Sequence, residues 1–126
     1  GVVTGSGEEI TGIWLESASR DLGAPIPAQI ADRLRGREFA NFDRFREAFW
    51  LEVAKDTELM GQFSSRNQKT IRAGRAPFTR LNDQAGKRNR FEIHHVEEIG
   101  NGGAVYDVEN LRVVTPFRHI QVHRRT

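Results

Sequence analysis

At 126 residues, 37% of them apolar and 29% charged, the chain is long enough for one domain with a real core and ordinary in composition for a globular protein. No apolar run approaches the ~18–20 residues of a membrane span, no leader-peptide pattern opens the chain, and the lack of cysteine excludes disulfides and thiolate metal sites. The net charge of +2 conceals an asymmetry: residues 1–63 hold 7 Lys/Arg against 11 Asp/Glu, whereas residues 64–126 hold 12 against 6.

Gly1, Gly5, Ser6 and Gly7 mark residues 1–9 as a flexible lead-in, and an opening Gly in place of Met suits a piece of a longer protein. Between Ile10 and Arg20, the residues Ile10, Ile13, Trp14 and Ser17–Ala18 trace a short amphipathic helix, with Gly23 as its stop. Pro25–Ile26–Pro27 reads as a turn that places Pro27 at the first position of a helix. In that helix Ile30, Ala31 and Leu34 share one face, and Gly36 ends it. Asn41 is suited to cap the next helix, in which Phe45, Phe49, Trp50 and Val53 recur at helical spacing as core residues. Leu59, Met60 and Phe63 add a short helical piece, and Ser64 or Ser65 caps another through about Ala73. Pro77, Asn82–Asp83 and Gly86 interrupt every period from Gly74 to Gly86. Phe78 stands in this polar loop either tucked into the core or presented to a partner. Residues 10–89 thus form a mainly helical scaffold with a basic loop.

From Arg90 the pattern changes. Phe91–Glu92–Ile93–His94 alternates as a strand does. Asn101–Gly102–Gly103 permits backbone angles that other residues avoid, so a loop follows. Leu111–Arg112–Val113–Val114 is a second short strand, and Thr115–Pro116 supplies an N-cap and first-turn pair for a helix carrying His119 and His123. Residues 90–126 therefore read as a ββα unit. The fold class is α+β, one domain over 1–126, with the helical N-terminal part packed on this C-terminal motif.

All four histidines lie beyond position 93. Imidazole is the commonest metal ligand and handles protons near neutral pH, so four in one region point to a metal-dependent reaction site. His119 and His123, four residues apart on a helix, project from one face and can share an ion. His94 and His95 are neighbours at a strand end and point to opposite sides, so one can ligate while the other does something different. Three neutral imidazoles leave positions open for water and substrate, whereas a closed structural zinc site takes four protein ligands. Beside them, residues 66–90 carry Arg66, Lys69, Arg72, Arg75, Arg80, Lys87, Arg88 and Arg90 against Asp83 alone. Such a basic field suits a polyanion such as DNA or RNA.

The words Glu92-Ile93-His94-His95, Gly102-Gly103, Val105-Tyr106-Asp107, Asn110-Leu111-Arg112-Val113, Thr115-Pro116 and Arg118-His119-Ile120-Gln121-Val122-His123 resemble the HNH motif. More narrowly, they resemble the nuclease domains of DNase-type colicins and S-type pyocins. Gly23 to Pro27, Phe42 to Arg46 and Pro77-Phe78-Thr79 are similar to that group too, so the likeness runs from about Trp14 to His123.

The resemblance implies a low-specificity, metal-dependent DNA endonuclease, the cytotoxic domain of a bacteriocin. It implies that His94, His119 and His123 bind one divalent ion, zinc or nickel in vitro, with magnesium an option in the cell. It makes His95 the general base, has Asn110 hold the ββα unit in shape, and has Glu92 and Arg88 orient the site and contact phosphate. In such relatives a Lys/Arg-rich lead-in also sends an arginine to the glutamate, but residues 1–19 here contain no Lys or Arg. A further implication is an acidic cognate immunity protein bound beside the active site, on about residues 64–90, with Phe78 as an anchor. The parent toxin would be released by its producer and act in the cytoplasm of a target bacterium. Two other readings stand beside this one: a site-specific HNH enzyme of the homing or restriction kind, and a zinc-stabilised nucleic-acid-binding module without catalysis.

Overall fold

Asn41 starts the helix around which the molecule is built. Its side chain accepts a hydrogen bond from the Arg44 backbone N–H at 3.0 Å, satisfying a donor that the first helical turn leaves free. In this computed structural model, which describes residues 1–101 and 103–123, the helix runs Phe42–Ala54 (α2) and buries Phe45, Phe49, Trp50 and Val53. Trp14 packs on it, 6.0 Å from the Phe49 ring and 5.9 Å from the Trp50 ring. Each such side chain removed from water contributes roughly 1.5–3 kcal/mol, so this aromatic stack anchors the helical half.

Around α2 lie Ala28–Leu34 (α1), Thr57–Met60 (α3) and Ser65–Arg72 (α4). Asp56 caps α3 through Leu59 N–H, and Ser64 caps α4 through Asn67 N–H. Pro27, expected as the first helical residue, is instead the N-cap of α1, one position before Ala28. Ile30, Ala31 and Leu34 form its buried face, and Gly36 leaves it at φ 84°.

The sheet has three antiparallel strands in the order β1-β3-β2: Ala24–Pro25 (β1), Glu92–His95 (β2) and Leu111–Val114 (β3). Its register sets Ala24 opposite Val113 and His94 opposite Arg112. Pro116–His123 (α5) follows β3, with the Thr115 hydroxyl accepting from Arg118 N–H at 3.1 Å. Ile93, Leu111 and Val113 join the same apolar cluster as Trp14 and Phe49, so helices and sheet share one core. No helix among the described residues is long and apolar enough to cross a membrane.

Three expectations are corrected. Residues 1–9 are not a loose lead-in: Val3 is buried, its N–H donates to the Arg37 carbonyl at 3.0 Å, and Thr4 bridges to Asp107. The pattern at 10–20 becomes a 3-10 helix over Trp14–Ser19. Its start is fixed by tertiary bonds from Trp14 N–H to Gln62 Oε1 and from the indole N–H to the Pro25 carbonyl, and only Trp14 and Ala18 are buried. The expected turn at 25–27 instead contains an edge strand, a position that tolerates the missing N–H of Pro25. Within the loop marked by Asn101–Gly102–Gly103, Gly102 lies outside the described residues, as do positions 124–126.

Candidate functional site

β2 and α5 bring three of the four histidines together. His94 leaves the end of β2 beneath α5, and His119 and His123 descend from successive turns of α5. One ligating atom from each of the three lies within 4.8 Å of the others. The ring centroids are 5.0 Å apart for His94–His119 and 4.7 Å for His119–His123.

Hydrogen bonds decide which nitrogens face inward. Only an N–H can bond a carbonyl oxygen, so the 2.7 Å contact of His94 Nε2 to the Leu22 carbonyl puts the ring proton on Nε2. His94 Nδ1 is then left as a bare lone pair, buried and with no hydrogen-bond partner. An unsatisfied buried polar atom is costly, and a cation is what would relieve it. Burial also lowers the His94 pKa, as do the neighbouring histidines when charged, which favours the neutral, ligating form. His119 Nδ1 lies 2.8 Å from Glu92 Oε1, leaving its Nε2 for an ion. Three imidazole nitrogens, one of them orphaned, fit a borderline-soft divalent cation.

His95 points the other way. Its Nε2–H donates to the Val105 carbonyl at 2.9 Å, and its ring lies 4.8 Å from that of Phe42. The proton on Nε2 leaves Nδ1 able to accept one. Thus the pair splits as strand geometry predicts, one ring toward the cluster and one held apart.

Glu92 is held by Arg88 and His119. Arg88 reaches it with Nε at 2.9 Å and Nη2 at 2.5 Å, a two-point fork, while His119 Nδ1 shares Oε1 with Arg88 Nη2. Burial works against the carboxylate charge, but hydrogen bonds from Arg88 and then His119 overcome it and lower the pKa to about 2. The bond to Glu92 likewise raises Arg88. No residue of the lead-in takes part; Glu8 of that segment pairs with Arg112 instead, at 3.4 Å.

Asn110 closes the β2–β3 connection. Its Oδ1 accepts from Glu97 N–H at 2.8 Å, and its Nδ2 donates to the Glu97 and Ala104 carbonyls at 3.0 and 2.9 Å. One side chain thereby ties both arms of the loop to the start of β3.

The basic stretch does not act as one surface. Arg75, Arg88 and Arg90 line a cleft of roughly 560 Å³ together with Glu92, His119, Trp50, Phe91 and Ile93. Phe78 is half-buried between two guanidinium groups, Arg66 and Arg90 each 4.1 Å from its ring centre. Asn67 fixes its backbone from both sides, accepting from Phe78 N–H and donating to Phe78 C=O. Arg90 is held by the Ala76 carbonyl, and burial, then repulsion from Arg75 and Arg66, lowers its pKa. Arg80 pairs with Asp83 beside a different hollow, lined by Ile13 and Phe63. Lys69, Arg72 and Lys87 are exposed and do not line the cleft.

Sequence reasoning did not single out Arg46, Leu22 or Val105. Arg46 stands at the junction of the cleft and the histidine cluster, over the Phe42 ring and paired with Asp43. Phe42, Arg46 and Trp50 recur every four residues along α2, a signal that could have placed Arg46 on the site face. Leu22 and Val105 contribute backbone carbonyls, for which side-chain identity carries no signal.

The family model described as "Colicin/Pyocin-S2, DNase domain" matches residues 1–125. Colicin-E2 of Escherichia coli is 52% identical over 124 residues, 98% of this chain and 21% of that protein. Pyocin-S2 of Pseudomonas aeruginosa is 50% identical over 98% of this chain and 18% of its own length, so the chain spans about a fifth of these relatives. Among solved structures, the pyocin AP41 DNase–immunity complex superposes with a TM-score of 0.96 at 44% identity, covering 100% of this chain and 98% of that one. The mutant nuclease domain of pyocin S8 with its cognate immunity protein gives 0.93 at 55% identity, covering 96% and 97%. With residues 1–125 matched and its HNH words folded as a ββα unit, the chain belongs to the colicin and pyocin DNase-domain family.

Proposed function

We propose that this domain is a metal-dependent endonuclease that hydrolyses DNA phosphodiester bonds with little sequence preference. The observation that carries this reading is the division of the histidines: three converge, one with an orphaned inward nitrogen, while His95 stands beside them with a free acceptor. His94, His119 and His123 would hold one divalent ion, which when bound supplies a Lewis acid for the phosphate and for charge on the leaving oxygen. Zinc or nickel suits three imidazoles, and magnesium is compatible with an open site completed by oxygen.

His95 Nδ1 takes the proton from the attacking water, its ring aimed by the Val105 carbonyl and the Phe42 face. Arg88 neutralises phosphate charge while Glu92 keeps its guanidinium in the cleft. Glu92 stays ionised and holds His119 in the tautomer that turns Nε2 inward. Asn110 holds the β2–β3 loop so that the Val105 carbonyl stays in reach of His95. Arg75, Arg90 and Arg46 lead a phosphate backbone toward the centre; phosphate contacts carry no sequence information, which supports low specificity.

The same reading makes the domain the cytotoxic part of a longer bacteriocin, released by its producer and acting in the cytoplasm of a target bacterium. An acidic immunity protein would dock on residues 64–90. Phe78, already braced by Arg66 and Arg90, offers that partner a rigid aromatic anchor.

Plasmid incubated with the purified domain, with and without chelator and with different divalent ions, tests the activity. Nicking that needs a divalent ion and yields a smear is expected; discrete fragments would indicate a site-specific enzyme. His95→Ala should abolish cleavage with zinc affinity nearly unchanged, whereas His119→Ala should lose zinc binding. Zinc affinity abolished equally in both variants would make His95 a ligand and overturn its assignment as base.

A further inference from the structure

Each of the three converging rings needs its outward nitrogen anchored if its inward one is to stay in place. For His94 the anchor is the Leu22 carbonyl, and for His119 it is Glu92. His123 sits on the last turn of α5 with its Nδ1 3.3 Å from Glu98 Oε1. Glu98 belongs to neither strand and is exposed, so on its own this contact would be an ordinary surface ion pair.

The loop carrying Glu98 is not ordinary. Asn110 grips the preceding residue at both its N–H and its carbonyl. Val96 N–H donates to the Asn110 carbonyl at 2.8 Å, and Gly103 N–H donates to the Glu98 carbonyl at 3.0 Å. A Cβ at Gly103 would overlap the Glu97 carbonyl oxygen, so the loop closes this tightly only around glycine. Glu98 is therefore delivered by a braced turn, and it lines the same hollows as His94, His95 and His123.

We infer that Glu98 is a positioning residue for His123: its carboxylate accepts from Nδ1–H, fixes the tautomer, and leaves Nε2 as the inward ligand atom. A carboxylate behind a ligating imidazole orients the ring and raises its basicity. The site then has a protein acceptor behind each ring, and Asn110 reaches the ion site through Glu98 as well as holding the loop. This inference rests on the metal-binding reading above.

The test uses the complete domain, with ¹⁵N-labelled histidine, read by long-range ¹H–¹⁵N correlation in chelator and by zinc competition titration. In the parent protein His123 should show the Nδ1–H tautomer. Glu98→Ala should mix the His123 tautomers while those of His119 and His94 stay as they were, and should weaken zinc binding by about tenfold. Glu98→Gln keeps an oxygen acceptor and should preserve both the tautomer and most of the affinity. A His123 tautomer unmoved by Glu98→Ala overturns the inference, as does Glu98→Gln binding zinc as poorly as Glu98→Ala. If the parent protein takes up no divalent ion, it is the metal-binding reading that fails, a result distinct from either.

Discussion

Glu92 shows how one residue can serve several neighbours without doing chemistry itself. Its pKa of about 2 means it is not an acid or a base at neutral pH; it is a fixed negative charge between Arg88 and His119. The linkage has a definite sign. A carboxylate whose folded pKa is depressed stabilises the fold fully above its unfolded value, near the ordinary 4.5, and that stabilisation is lost as pH falls through about 2. Urea unfolding of the metal-free protein and of Glu92→Gln should therefore differ most above pH ~4.5, with the gap closing toward pH ~2. A gap that stays constant over that range would mean the Arg88–Glu92–His119 bridge does not form in solution.

At the scale of elements, the helical caps and the ββα order were readable in sequence because their signals are local. Asn41, Asp56 and Ser64 each act on N–H groups three residues away; the sequence pointed to Asn41, and to Ser64 or Ser65. The strand β1 was not, because two residues containing a proline have no periodicity to read. Its existence depends on Gly23, which turns at φ 103° and packs so close to β3 that a Cβ would lie 2.7 Å from the Val113 carbonyl oxygen. Gly23→Ala should cost more than ~1 kcal/mol in urea denaturation, through both backbone strain and this approach. Gly12→Ala separates the two effects, since Gly12 is also at positive φ (76°) but has open space around it; its cost should be strain alone and clearly smaller. The Gly23 variant should also shift the Leu22 carbonyl off His94, linking an edge strand to the histidine cluster.

For the molecule as a whole, the positive half predicted from charge counting divides into surfaces with different neighbours. Arg75, Arg88 and Arg90 face the cleft with Arg46, whereas Lys69, Arg72 and Lys87 do not line it and Arg80 is paired beside another hollow. Reversing charge at Arg46 and Arg75 should weaken DNA binding and flatten its salt dependence by roughly 0.9 for each phosphate no longer neutralised. Reversal at Lys69 and Arg72 should change the slope less. Equal slopes for the two pairs, measured by fluorescence anisotropy across a salt series, would place the nucleic-acid path outside the cleft. Phe78 bridges these surfaces through Arg90, which both braces the aromatic ring and lines the cleft. A partner seated on Phe78 would therefore bear on the cationic wall of the cleft.

The four histidines, their spacing, the caps and the aromatic stripe of α2 are local facts, and the amino-acid order alone determined them: i and i+4 share a helix face, and neighbours on a strand diverge. Which imidazole nitrogen faces the cluster was decided only in three dimensions. The Leu22 and Val105 carbonyls that set the tautomers of His94 and His95 come from backbone at distant positions, 72 and 10 residues away. A carbonyl is the same in every residue, so its role exists only once the chain has folded to bring it there.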